Sequence, residues 1–160
     1  MLARGLRRGA AAARIYVDDV FSAWLYDGTS APQTINNGID LAGKGGLVWV
    51  KSRGTTNNHV LFHTSRGPLN RLYTNFDVVQ APLANSLTSF NSDGFTLGSD
   101  TNTNGSPNTR VAWVFCNADK FYNHTVVTKP AGSNATVSFA NLGTLGMVRV
   151  KRLDVSGSWY

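Results

Sequence analysis

Glutamate does not occur in the 160-residue chain: all nine acidic side chains are aspartates, at Asp18, Asp19, Asp27, Asp40, Asp77, Asp93, Asp100, Asp119 and Asp154. Without glutamate there is no bidentate twelfth ligand for an EF-hand loop and no general base for a helical zinc-hydrolase motif. Cysteine occurs once, at Cys116, which excludes an internal disulfide framework and a cysteine-based zinc site. Cys116 ends the apolar run "VAWVFC" and is expected to be a small buried hydrophobe. No stretch reaches the ~18 to 20 apolar residues of a membrane-spanning helix. Charged residues make up only 15% of the chain, against about a quarter in ordinary domains. Asn, Thr, Ser and Gly stand in their place, and these residues support turns and sheet surfaces rather than helices.

The net charge of +6 is unevenly spread. Arg4, Arg7, Arg8 and Arg14 precede the first acid, so the remaining 11 basic and 9 acidic residues leave +2. A nucleic-acid interface needs a clustered basic face with several phosphate contacts, so no nucleic-acid partner is expected. The opening "MLARGLRRGAAAAR" is too short and lacks the Ser of a transit peptide, and its apolar part is too weak for a secretory signal. It reads as a basic arm, residues 1–14, that orders on docking against a neighbour.

Beyond the arm, short runs rich in strand formers recur every ten to fifteen residues with turn signals between them. "DDVFSAWLY" allows a short helix, but its β-branched and aromatic content and the following "DGTSAP" favour a strand. "LVWVKSR" after the "AGKGG" turn is apolar on both faces, as in a central strand covered on both sides. "HVLFHTS" reads as a further strand, "RGPLNRLYTNFDVV" as irregular around Pro68 and Asn70, and "QAPLANS" as a loop. "LTSF" and "FTLG" flank "NSDG", so Asp93 and Gly94 are expected to turn a hairpin. In "RVAWVF", Val111, Trp113 and Phe115 face one way and Ala112, Val114 and Cys116 the other. Trp24, Trp49 and Trp113, all in strand settings, are expected in the core.

A repeat stands out. "GGLVWVKSR" at 45–53 aligns with "LGMVRVKRL" at 145–153, placing Gly46, Val48, Val50 and Lys51 over Gly146, Val148, Val150 and Lys151. A spacing of 100 residues is too long for a solenoid. The chain is therefore divided into the arm at 1–14, a β-sandwich at 15–116 and the start of a second, truncated β unit at 117–160. The natural polypeptide is expected to continue past Tyr160.

Candidate sites are few. Asp100, Asn102, Asn104 and Gly105 have the order and spacing that open a calcium loop, but position 12 falls on Val111 and one carboxylate remains. A structural ion on Asp93, Asp100 and backbone carbonyls is the surviving metal variant; a plain turn-rich loop is the preferred reading, and no metal or cofactor is expected. His59 and His63 have the spacing of a helical zinc pair, but in a strand they stand about 13 Å apart. Adjacent Asp18 and Asp19 would point to opposite faces of a strand, and most other aspartates sit in turns, so no hydrolytic pair is assigned and no enzyme is expected. Tyr73, Phe76 and Tyr122 are the candidate glycan contacts.

The combination of "DLAGKGGLVWVKSR", "LFHTSRG", "LANSLTSFNSDGFTLGSD", "VAWVF" and the second "MVRVKR" unit resembles the β-rich repeat domain of tail-fibre and other virion structural proteins of tailed bacteriophages, especially marine ones. The resemblance covers residues 15–160 and is most specific at "SFNSDGFTLGS" and "VAWVF". The chain departs from the pattern at His63, where an Asp before "RG" is the rule. The resemblance implies an all-β antiparallel sandwich, jelly-roll-like, in a virion protein of the phage tail. The expected role is the anchoring part of a tail fibre attached to tail or baseplate and serving host adsorption. Arg4, Arg7, Arg8 and Arg14 would dock on other virion proteins, and a homo-oligomer, a trimer above all, is expected, with no membrane insertion. A capsid decoration protein and a host-glycan binding or cleaving module are the alternatives.

Overall fold

The computed structural model describes residues 14–160. Nine strands form two antiparallel sheets, which establishes the expected all-β sandwich. The strands are β1 (Phe21–Asp27), β2 (Gln33–Asn36), β3 (Gly46–Ser52), β4 (Val60–His63), β5 (Gly67–Tyr73), β6 (Ala81–Pro82), β7 (Leu87–Asn91), β8 (Gly94–Leu97) and β9 (Thr109–Cys116). The larger sheet has the order β1-β9-β3-β4-β5-β6 and the smaller β2-β8-β7. Two one-turn helices, α1 (Leu41–Lys44) and α2 (Thr101–Asn104), sit in the connections.

Strand alternation decides what is buried. Val48 and Val50 of β3, Ala112, Val114 and Cys116 of β9, and Val60 and Phe62 of β4 join Ile35, Leu87, Phe95 and Leu97 of the smaller sheet in one buried cluster. Ile39 and Leu41 close one side of it. The opposite face of the larger sheet is aromatic: Trp49 pairs in register with Trp113, and Phe115 with both Leu47 and Phe21. The two tryptophan rings lie 5.3 Å apart and tilted, and Phe21 and Phe115 4.9 Å apart. The "LVWVKSR" run is thus a central strand with apolar side chains on both faces.

Several local expectations change. The segment around Pro68, read as irregular, contains β5; a register shift between Leu61 and His63 and a positive φ at Leu69 fit the strand around Pro68. "AGKGG" is not a plain turn, because Asp40 accepts from the Gly43 N–H at 2.7 Å and caps the turn of α1. The hairpin at "NSDG" turns on Ser92 and Asp93, one residue earlier than expected, with Gly94 already paired to Asn91. Gly94 is needed inside the strand: its φ is +136°, and an added Cβ would overlap the Ile35 carbonyl oxygen. Trp24, expected in the core, is 41% exposed, because β1 is the outermost strand and among the described residues no strand flanks it; Trp49 and Trp113, expected there too, are half-buried on the outer face instead.

After Cys116 no strand is assigned. The chain makes an isolated bridge between Ala118 and Tyr122 and then runs over the outer face of the larger sheet. Its end is held by Arg149, whose guanidinium lies 5.2 Å from the Trp49 ring and 4.7 Å from that of Trp159. The Trp159 indole N–H donates to the Tyr73 carbonyl at 3.0 Å. Val150 and Tyr160 exchange reciprocal main-chain hydrogen bonds at 2.7 and 3.0 Å, the pattern of one antiparallel pair.

Candidate functional site

Three clusters of polar or aromatic side chains stand out, and they differ in what they can do.

The first is the loop with calcium-like spacing. Asp100 accepts from the N–H and side chain of Asn102, and from the Ser86 hydroxyl at 2.7 Å. Asn104 is fully buried: its amide donates to the carbonyls of Ala31 and Gly98, both at 2.6 Å, and its oxygen accepts from Thr29 N–H and Gln33 Nε2. Arg110 is equally buried and directs its guanidinium at the carbonyls of Thr101, Asn102, Gly105 and Asn108. The oxygens that would have bound an ion are thus engaged by the protein's own donors. Burial lowers the Arg110 pKa while Tyr26 and Asp100 oppose that shift, and burial raises the Tyr26 phenol. The Tyr26 hydroxyl donates to the Thr103 carbonyl at 2.6 Å. Asp93 sits elsewhere, accepting from Gly38 N–H at the hairpin turn. Among the described residues no three metal-capable side chains converge.

The second cluster joins the larger sheet to the following segment. His63, at the end of β4, meets His124 with ring centroids 3.2 Å apart at 67°. His63 Nδ1 is 2.8 Å from the Ser65 hydroxyl, and His124 Nε2 is 3.3 Å from that of Thr64. His124 Nδ1 is buried without a partner. Burial, the neighbouring imidazole and Arg66 hold His63 down at about 2; burial and Arg66 hold His124 down at about 4. Arg66 is lowered by burial to about 10 and donates to the Asn70 carbonyl and to Gln80. The pair cannot chelate an ion as it stands, since metal–nitrogen bonds of ~2.0–2.1 Å would hold the rings farther apart. His63 therefore pairs with a residue far along the chain and not with His59.

The third is a shallow hollow of about 290 Å³ lined by Thr74, Asn75, Phe76, Asp77, Ser158 and Trp159. Phe76 is half exposed and meets Tyr73 edge-on at 6.1 Å, while Tyr73 packs against the core under the Arg71 guanidinium. Tyr122 lies apart from them, 5.7 Å from Phe115 and 5.8 Å from His124. The three candidate glycan contacts therefore do not form one surface: Phe76 shares the hollow with Trp159 and leaves Tyr122 elsewhere. Of the arm, Arg14 is exposed, and Arg4, Arg7 and Arg8 lie outside the described residues.

Sequence reasoning missed Arg110 and His124, and singled out Asn104 as a calcium-loop position where the structure has it donating to carbonyls. For Arg110 a signal existed: extending the alternation Cys116, Val114, Ala112 by one step puts Arg110 on the core face of β9. Among the described residues no helix is long and apolar enough to cross a membrane. A family model described as a domain of unknown function (DUF7483) matches residues 17–160. The chain belongs to this family. The DUF7483 match begins at the 3₁₀ turn before β1 and takes in both the sandwich and the segment after Cys116. No curated protein matches the chain, and no solved structure does.

Proposed function

We propose that this chain is a structural protein of a bacteriophage virion, the anchoring part of a tail fibre docked on tail or baseplate and serving host adsorption. The reading joins the phage-like motifs of the sequence to one structural observation. The most phage-like stretch, residues 89–115, builds the β7–β8 hairpin, the Asp100–Asn104–Arg110 knot and β9, and its polar side chains are largely engaged in internal hydrogen bonds. A stretch of that kind holds shape and supports repeated subunit packing, with a trimer as the favoured assembly. In this reading Arg4, Arg7, Arg8 and Arg14 dock on a neighbouring virion protein.

Deleting residues 1–14 is expected to abolish incorporation into particles while the purified chain stays folded, and normal incorporation would overturn the anchor. Copy number per particle separates the rivals, since a decoration protein covers the shell and a fibre occupies only the tail. A second reading, contact with host glycan, is favoured by the hollow where Phe76 and Trp159 stand beside Asn75 and Asp77, because aromatic faces beside amide and carboxylate groups suit sugar rings.

A further inference from the structure

The larger sheet has two edges of different character. One ends in β6, two residues long and closed by Pro82, which cannot donate to a further strand. The other is β1, "FSAWLYD", seven residues that among the described residues pair only with β9. Among the described residues nothing protects β1: it contains no Lys, Arg, Pro or bulge, and Trp24 and Leu25 are 41% and 59% exposed. Its charges are all negative, with Asp27 at its end and Asp18 and Asp19 just before it.

Elsewhere the chain carries a strand sequence without a strand. Gly146–Arg152, "GMVRVKR", repeats the pattern of β3, yet among the described residues its main-chain hydrogen bonds are only the Val150–Tyr160 pair. Met147, Val148 and Val150 are exposed. Its charges are all positive: Arg149, Lys151 and Arg152.

We infer that Gly146–Arg152 of one copy adds to the open edge of β1 in a second copy, extending that copy's larger sheet by a seventh strand. The two segments match in length and carry opposite charge, and among the described residues β1 has one free edge while Gly146–Arg152 has main-chain bonds at Val150 alone. The transfer releases the Arg149 stack, the Val150–Tyr160 pair and the Lys151 ammonium's bonds to the Asp77 and Gly157 carbonyls, and no sheet ladder has to open. The contact is head-to-tail, so it closes into a ring or grows into a filament according to its rotation. It supplies a subunit contact for the oligomer proposed above, but particle incorporation through the arm does not depend on it, so the two can fail separately.

Full-length chain carrying Leu25→Cys is mixed with chains carrying Met147→Cys, Val148→Cys, Arg149→Cys or Val150→Cys under mild oxidation; Cys116 is buried and contributes little background. Mixed disulfides are expected at alternate positions only, because neighbouring side chains of a strand face opposite ways. Light scattering should give a multiple of 17.3 kDa, and Ala23→Lys with Leu25→Lys, both at exposed positions, should return it to the monomer mass with unchanged circular dichroism. A monomer at all concentrations overturns the inference. So does cross-linking of Leu25→Cys chains only to one another, which would mean symmetric pairing of two β1 edges.

Discussion

Asn104 and Arg110 show how much a single side chain can organise. Asn104 satisfies the Ala31 and Gly98 carbonyls and the Thr29 N–H, joining the β1–β2 connection to the loop after β8. Arg110 draws the carbonyls of Thr101 through Asn108 around one guanidinium, without a carboxylate partner in contact. Removing either leaves buried carbonyls without donors, each worth about 1–3 kcal/mol. Asn104→Ala and Arg110→Met are each expected to lower stability by about 3 kcal/mol, read as a lower denaturant midpoint at unchanged slope. Asn104→Asp should be no better, because its carboxylate would face two carbonyl oxygens that now accept from the amide. Calcium-like spacing was legible here, but the same residue types at the same spacing also make an Asp-capped turn. Only the partners tell the two apart, and of these Ala31 lies far from the loop in sequence and Ser86 on the other side of the β7–β8 hairpin.

At the scale of elements, the histidine contact clamps β4 to the segment after Cys116. Both imidazoles have folded-state pKa values below the ordinary 6.5, His124 at about 4 and His63 at about 2. The folded protein therefore binds fewer protons than the unfolded chain between those values and 6.5, so stability is full above about 6.5 and falls as the pH drops. Denaturant midpoints should decline from pH 6.5 to pH 4, and the His63→Gln, His124→Gln double variant should flatten that decline. Most strands were legible from alternation: β1, β3, β4, the β7–β8 hairpin and β9 all lie where the pattern put them. What was not legible was edge status. Trp24 stands opposite Ala112 on the core side of the sheet, and only the strand order, with β1 outermost, leaves it exposed, while Trp49 and Trp113 pair on the outer face. Pro68 hid β5 for a related reason, since proline is tolerated near the end of a sheet beside a register shift.

For the whole molecule, the outer face of the larger sheet is an aromatic surface partly covered by the chain's own later segment. Arg149 between Trp49 and Trp159 is the fastening on the β3 side. A chain lacking residues 144–160 should keep its sheet circular dichroism, because the buried cluster lies wholly within residues 20–116. Its tryptophan emission should move to longer wavelength as Trp49 meets water. The repeat at 145–153 was readable as kinship with β3, but its lodging on the β3 aromatic rings was not, because a strand sequence says nothing of which strand it will find.

The pairing of Phe21 with Phe115 has a mechanical consequence. The chain enters the sandwich through β1 and leaves it through β9, and these neighbours run antiparallel, so entry and exit lie side by side at one end. Tension applied through the chain on either side would open the β1–β9 ladder one rung at a time, like a zipper, and never load its hydrogen bonds together. A module threaded this way yields at low force when it is a link in a pulled chain. It is suited to a place beside the line of load, hung from two adjacent strands while the force passes it by.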